Sequence, residues 1–118
     1  MIVVIDSNFL ISLAFEDNLN HRRALDLWND VEKAYLPVVA AMEVAYFLLK
    51  YKMRIRLLEE MLRDEKIEVA ESTISDLMFA ISKMDRIKSY DDFNDMMIVG
   101  TSTRLSLKLL SFDREMTK

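Results

Sequence analysis

The chain has 118 residues, the size of one ordinary domain spanning 1–118, and its 52% hydrophobic content is ample for a single core. It contains no cysteine and a single histidine, His21, which excludes disulfides, thiolate metal sites and multi-histidine zinc sites. The net charge of −4 argues mildly against a broadly basic nucleic-acid-binding surface, but not against an acidic site that works with bound cations.

One glycine and one proline leave little turn-forming material, which favours dense helix packing over an all-β fold. The run Ile2-Val3-Val4-Ile5 is β-branched and apolar throughout, as in a central parallel strand covered on both faces. Asp6-Ser7-Asn8 breaks the run, and a helix is predicted from about Asn8 through Phe9, Leu10, Leu13 and Ala14. A second helix is expected over 21–32, with Ala24, Leu25, Trp28 and Val31 along one face and His21 on the surface at its start. Ala34-Tyr35-Leu36 is a short strand at best, and Pro37 is placed to open the next helix.

Residues 38–49 are apolar almost all round, which predicts a deeply buried helix. An amphipathic helix is expected over 52–66, with Ile55, Leu58, Met61 and Leu62 inward and Arg54, Arg56, Glu59, Glu60 and Arg63 outward. Ile67-Glu68-Val69 alternates like a strand. Ser72 or Thr73 caps a helix reaching about Ile87, with Leu77, Ile81 and Met84 on its inner face. Residues 89–91 offer a further N-cap, opening a helix over 92–105, and 107–111 read as a last buried strand. Alternating strands and helices predict an α/β fold, a three-layer arrangement with a central parallel sheet flanked by helices. The N-terminus lacks the basic start and cleavage site of a signal peptide, and no apolar run approaches the roughly 20 residues that span a bilayer. A soluble, cytoplasmic protein with no membrane contact is expected.

In open parallel sheets, ligands collect at the carboxyl ends of strands where the strand order reverses. Asp6 and Asp113 fall at such ends, each with an ordinary alternative role as a turn or cap residue. Asp95, like Asp91 and Asp92, lies near a helix start, where the macrodipole stabilises a carboxylate. Glu43, between Met42 and Val44 in a largely apolar helix, is the hardest to explain structurally. Carboxylates in apolar settings are costly to desolvate without a positive partner, and neither Asp6 nor Glu43 has Lys or Arg adjacent in sequence. A divalent cation is the simplest compensation. With this composition it would be held by oxygen, which favours Mg²⁺, Mn²⁺ or Ca²⁺.

Val3-Val4-Ile5-Asp6-Ser7-Asn8 resembles the opening of PIN-domain nucleases, an apolar strand followed by Asp and a small polar pair. Residues 37–49, centred on Glu43, resemble that family's second acidic helix. Asp95-Met96-Met97-Ile98-Val99-Gly100 is similar to its Asp-Ala-x-Ile-Ala-Ala segment, and Leu109-Leu110-Ser111-Phe112-Asp113-Arg114-Glu115 to its Leu-Leu-Thr-x-Asp-x-Asp strand end. The resemblance covers nearly the whole chain. It implies a metal-dependent endoribonuclease of the kind found as VapC toxins in toxin–antitoxin pairs, using Mg²⁺ or Mn²⁺. It carries over Asp6, Glu43, Asp95 and Asp113 as catalytic metal-binding carboxylates, with Asn8 and Ser111 as secondary polar residues. It also implies an RNA substrate, a small antitoxin protein as partner, and a homodimer.

Candidates for gripping RNA are Arg22, Arg23, Lys50, Lys52, Arg54 and Arg56, whose plainer reading is a solvated helix face. Two enzymatic rivals lack their residues. A phosphotransfer receiver needs a second acid beside Asp6 and an Asp ending a middle strand, where Ser7 and Val69-Ala70 stand; a haloacid-dehalogenase-type phosphatase needs Asp where Asn8 stands. Two readings compete more closely with a toxin: a catalytically degenerate PIN-like binding or dimerisation module, and an RNA-processing nuclease outside toxin–antitoxin systems. Apolar faces around Trp28 or Tyr46-Phe47 would serve such a module, although core packing is the commoner fate of such residues.

Overall fold

The computed structural model describes residues 1–113 and 116; Arg114 and Glu115, which complete the last family-like segment, lie outside the described residues. In chain order the elements are β1 (Ile2–Ile5), α1 (Ser7–Ala14), α2 (His21–Trp28), β2 (Lys33–Pro37), α3 (Val38–Lys50) and α4 (Arg56–Met61). There follow β3 (Ile67–Ala70), α5 (Ile74–Ser82), a 3₁₀ turn (Met84–Arg86), α6 (Tyr90–Leu105) and β4 (Lys108–Leu110). The strands form one parallel sheet in the order β3-β2-β1-β4, flanked by helices in the expected three-layer α/β arrangement. The chain steps outward from β1 to β3, then returns through α5 and α6 to add β4 on the other side of β1. The order therefore reverses between β1 and β4, where Ile5 pairs with Leu110, and the crevice of such a sheet opens beyond those strand ends.

The core is built on Val3, Val4 and Ile5, all fully buried as expected, together with Phe9, Leu36, Val44, Leu48 and Ile98. A smaller cluster of Ala80, Met96 and Met97 joins α5 to α6. Among the described residues no helix is long and apolar enough to cross a membrane.

Several expected elements are corrected. The helix expected over 21–32 stops at Trp28; Asn29 and Asp30 form a turn that delivers Val31 to the core, while Leu25 faces outward. The helix expected over 52–66 shrinks to α4, because α3 closes on Lys52, at φ 57°. The Met53 N–H bonds to the Leu48 carbonyl and the Lys52 N–H to that of Leu49, a Schellman closure that turns the chain away and leaves Ile55 exposed. Ser106, at φ 56°, closes α6 in the same way, with Leu107 N–H on Ser102 O and Ser106 N–H on Thr103 O. A chain with one glycine thus puts Lys and Ser where glycine is easiest.

Helix α3 forms as expected but is not deeply buried. Ala40, Val44 and Leu48 face the core, while Met42, Tyr46 and Leu49 are exposed. The face of α5 is also reversed. The helix expected to reach about Ile87 stops at Ser82; Leu77 and Ile81 on it, and Met84 in the 3₁₀ turn beyond, are exposed, and Asp76 and Ala80 point inward, because α5 rests mainly on α6. There Gly100 lets the backbones meet: a Cβ on it would stand 3.2 Å from the Asp76 carbonyl oxygen.

Candidate active site

The break after β1 does two jobs at once. Asp6 is the N-cap of α1, its Oδ1 accepting the Phe9 N–H at 2.8 Å. Its other oxygen, Oδ2, accepts from Ser111 Oγ at 2.5 Å, across the β1–β4 boundary. Ser111 in turn accepts the backbone N–H of Asp113 at 2.9 Å. Glu43 arrives from the middle of α3 and accepts from Ser7 Oγ at 3.2 Å. Asp95 comes from the second turn of α6. All four predicted acids, Asp6, Glu43, Asp95 and Asp113, line a single cleft of about 820 Å³, together with Ser7, Asn8, Asp91 and Asn94.

Their electrostatics are those of like charges crowded in a poorly solvated place. Burial pushes the Glu43 carboxyl up to about 7, with repulsion from Asp6 and Asp91 adding to it against the Ser7 hydrogen bond. Burial also pushes Asp95 up to about 7, reinforced by Glu43, Asp113, Asp6 and Asp92. Position near the start of α6 does not rescue Asp95; in the second turn the macrodipole is weaker than burial and four acidic neighbours. Asp6 is raised as well, chiefly by burial, although Ser111 and the Phe9 N–H oppose the shift. Among the described residues no ion pair reaches Asp6, Glu43 or Asp95.

This donor set suits a hard divalent cation: carboxylates and hydroxyls with no thiolate or imidazole among the described lining residues, and three acids, Asp6, Glu43 and Asp95, that no ion pair among the described residues compensates. As the side chains stand, no three acidic or histidine groups among the described residues are gathered closely enough to hold one ion. The sequence places the acids in one cleft, not in a finished cage. An ion would have to draw the carboxylates together.

Of the secondary residues, Asn8 lines the cleft and Ser111 bridges Asp6 to Asp113. Of the candidate RNA contacts only Lys50 lines the cleft; Arg22, Lys52, Arg54 and Arg56 do not. Arg23 lies 5.5 Å over the Phe112 ring and, with Lys108, lines a separate hollow of about 460 Å³ behind β4. His21 is half-buried rather than free on the surface, with Nδ1 2.8 Å from the Ser12 carbonyl oxygen, and takes no part in the cleft. Trp28 is core, while Tyr46 is exposed beside half-buried Phe47. Ser7, Asp91, Asn94 and the tyrosines 46, 51 and 90 also line the cleft. The spacing Glu43, Tyr46, Phe47, Lys50 is a helical stripe that marks some of them in the sequence.

Residues 3–118 match the PIN domain family. No curated protein matches the chain in sequence. Among solved structures, the Mycobacterium tuberculosis toxin VapC20, described as cleaving the sarcin-ricin loop, superposes with a TM-score of 0.81 at 16% identity, covering 98% of this chain and 92% of that one. A toxin–antitoxin complex from Klebsiella pneumoniae gives 0.69 at 19% identity, with 94% and 86% covered. VapBC2 from Rickettsia felis, bound to a DNA fragment from its promoter, gives 0.67 at 13% identity, with 98% and 90% covered. At these identities the likeness is one of fold.

Proposed function

Because the chain belongs to the PIN domain family, we propose that it is an Mg²⁺- or Mn²⁺-dependent endoribonuclease acting in the cytoplasm as the toxin of a toxin–antitoxin pair. The observation that carries this reading is the convergence of Asp6, Glu43, Asp95 and Asp113 on one cleft, where no ion pair compensates the first three among the described residues. A bound divalent ion would supply an acidified water and offset charge developing on the phosphate.

The protein's own part is positional. Phe9 N–H and Ser111 Oγ each hold one oxygen of Asp6, so that carboxylate is a fixed point. Ser7 steadies Glu43. In the ion-free chain burial and neighbouring acids push the Glu43 and Asp95 carboxyls up to about 7, and a bound cation would favour the ionised forms in which they act as ligands. Lys50 stands on the cleft wall to meet a phosphate. No histidine base is called for, in keeping with His21 being turned to the Ser12 carbonyl.

The toxin assignment draws on the toxins among the similar folds. A protein partner, whether a small antitoxin or a second copy in a homodimer, is supported by the apolar outer face of α5, where Ile74 is 80% exposed and Met78 57%. The same face would suit a binding module with no activity.

The deciding experiment incubates the purified chain with mixed RNA, with Mn²⁺ and with EDTA, beside Asp6→Asn and Asp95→Asn. Cleavage should need the ion and be lost in both variants, together with Mn²⁺ affinity. Cleavage that persists in EDTA or in Asp6→Asn would overturn the mechanism. Unchanged weak Mn²⁺ binding in the variants, with no cleavage by the parent, would favour the non-enzymatic module.

A further inference from the structure

The acids occupy only one end of the cleft. From Glu43, the same face of α3 continues through Tyr46, Phe47, Lys50 and Tyr51, at steps of three, four, seven and eight residues. That stripe runs about 12 Å along the helix axis, away from the carboxylates. It is aromatic and open: Tyr46 is 65% exposed and Tyr51 56%. The stripe is braced from beneath. Phe15 packs on Phe47 at 5.8 Å between ring centres, Phe47 packs on Tyr51 at 4.9 Å, and the Lys50 ammonium lies 5.6 Å from the centre of the Tyr51 ring. Across the cleft Tyr90, 74% exposed, opens α6 just before Asp91.

Exposed aromatic faces beside a cation and next to a phosphate-handling centre are the elements with which proteins hold unpaired nucleotides. Bases in a duplex are already stacked on one another and offer no free face to such a wall. We propose that Tyr46 and Tyr51 form a stacking platform for unpaired bases flanking the scissile phosphate, which makes these two rings the base-contacting residues of the cleft. Lys50, which lies between the two tyrosines along the stripe, meets the backbone of the stacked nucleotides. This rests on the nuclease reading for the position of the phosphate, but base stacking is measurable without cleavage.

The test uses the full chain carrying Asp95→Asn, in Mg²⁺, so that labelled RNA is bound without being cut under the nuclease reading. Fluorescence anisotropy compares an unpaired oligoribonucleotide with the same strand in a duplex. Tyr46→Ala should weaken binding of the unpaired strand about tenfold, whereas Tyr46→Phe, which keeps the ring, should stay within about twofold. The duplex should bind more weakly and respond to neither change. Because Tyr46 is exposed, the variants should keep the parent's circular dichroism, and that is checked first. Equal binding of the unpaired strand by Tyr46→Ala and its parent would overturn the proposal, as would an equal loss for duplex. If Tyr46→Ala instead alters the mass of the protein in solution and leaves RNA binding untouched, the face belongs to a second copy of the chain and the proposal falls. Cleavage by the unsubstituted chain in Mn²⁺ is scored separately. A ring-dependent preference for unpaired RNA without cleavage supports the platform and removes the nuclease reading; cleavage with no effect of Tyr46→Ala removes only the platform.

Discussion

Ser111 Oγ donates to Asp6 Oδ2 across 105 positions of sequence, and the two residues each directly follow a pair of neighbouring parallel strand ends, Ile5 and Leu110. The sheet register makes the contact: one step beyond the last paired residues, Asp6 and Ser111 are side by side. Because Ser111 also accepts from Asp113 N–H, a single hydroxyl fixes the spacing of two site acids.

Removing that hydroxyl should therefore cost activity more than stability. If Asp6 holds the ion as proposed, Ser111→Ala lowers Mn²⁺-supported cleavage about 10- to 100-fold, the usual effect of losing an outer partner of a metal ligand. The loss in folding stability should be about 1 kcal/mol. Cleavage rates across an Mn²⁺ titration check the first, and urea unfolding the second. Without Ser111, which holds the Asp6 carboxyl down, Asp6 should also bind the ion less well at mildly acidic pH.

The ion-free protein should lose stability as pH rises through neutrality. Glu43 and Asp95 are pushed up to about 7 in the folded chain, so their contribution is complete below the ordinary carboxylate range and fades as they are forced to ionise. Divalent ions favour the ionised forms and should act in the opposite sense. Melting temperatures followed from about pH 5 to about pH 8 should fall in EDTA, and Mn²⁺ should raise them most at the alkaline end. A profile in EDTA that is flat across this range would refute the crowding of these acids.

Asp76 tests a second buried charge, remote from the cleft. It is 0% exposed, caps α5 with Thr73, and accepts from Arg104 Nε at 2.8 Å and Thr101 Oγ1 at 2.8 Å. Burial alone would raise its carboxyl; the Arg104 and Thr101 hydrogen bonds outweigh that and hold it below the usual range. Arg104→Met strips the cation and should destabilise the fold by about 3 kcal/mol at neutral pH. Pairing it with Asp76→Asn should recover part of the loss. In the parent, the contribution of Asp76 is complete above the ordinary carboxylate range and disappears as pH falls through its depressed value. Urea unfolding of the single and double variants at neutral pH checks these changes.

Glycine content gives paired predictions of opposite sign. Ser106→Gly relieves a left-handed residue and should stabilise the protein by about 0.5–1 kcal/mol, after allowing for the greater freedom of glycine in the unfolded chain. Gly100→Ala should do the reverse, by about 1–3 kcal/mol, since its Cβ would press on Phe79 Cδ1 at 3.1 Å and Asp76 Cα at 3.3 Å. Thermal melts of the two variants beside the parent decide both.

The strands and the acids were legible in the sequence because their signals are local. Ile2-Val3-Val4-Ile5 is a short β-branched run suited to a strand, buried from Val3 on, and Asp6 directly after it sits at the strand end whatever the helices do. Glu43 was conspicuous because its helix offers few polar neighbours. What failed was the assignment of faces. Helices α3 and α5 carry more apolar residues than one core can cover, so periodicity could not say that Tyr46 and Leu77 would be left outside. Asp76 carries no sequence signal because its partner, Arg104, is 28 residues away and the close helix contact that buries the carboxylate depends on Gly100. The helix expected over 52–66 is shorter because a lysine, not a glycine, makes the left-handed stop before it, and a lysine does not signal that stop in the sequence.

Asp6 has a double employment that bears on how this chain can change. As the cap of α1 it helps start the helix that follows the central strand, so its replacement by alanine would loosen architecture and chemistry together. Asparagine caps a helix as well as aspartate does, so Asp6→Asn removes the charge and spares the helix start. Asp95 is not the cap of its helix; that place belongs to Ser89. A lineage shedding catalysis while keeping its shape would find the sixth position open to asparagine and closed to most other residues, whereas the ninety-fifth could drift more freely.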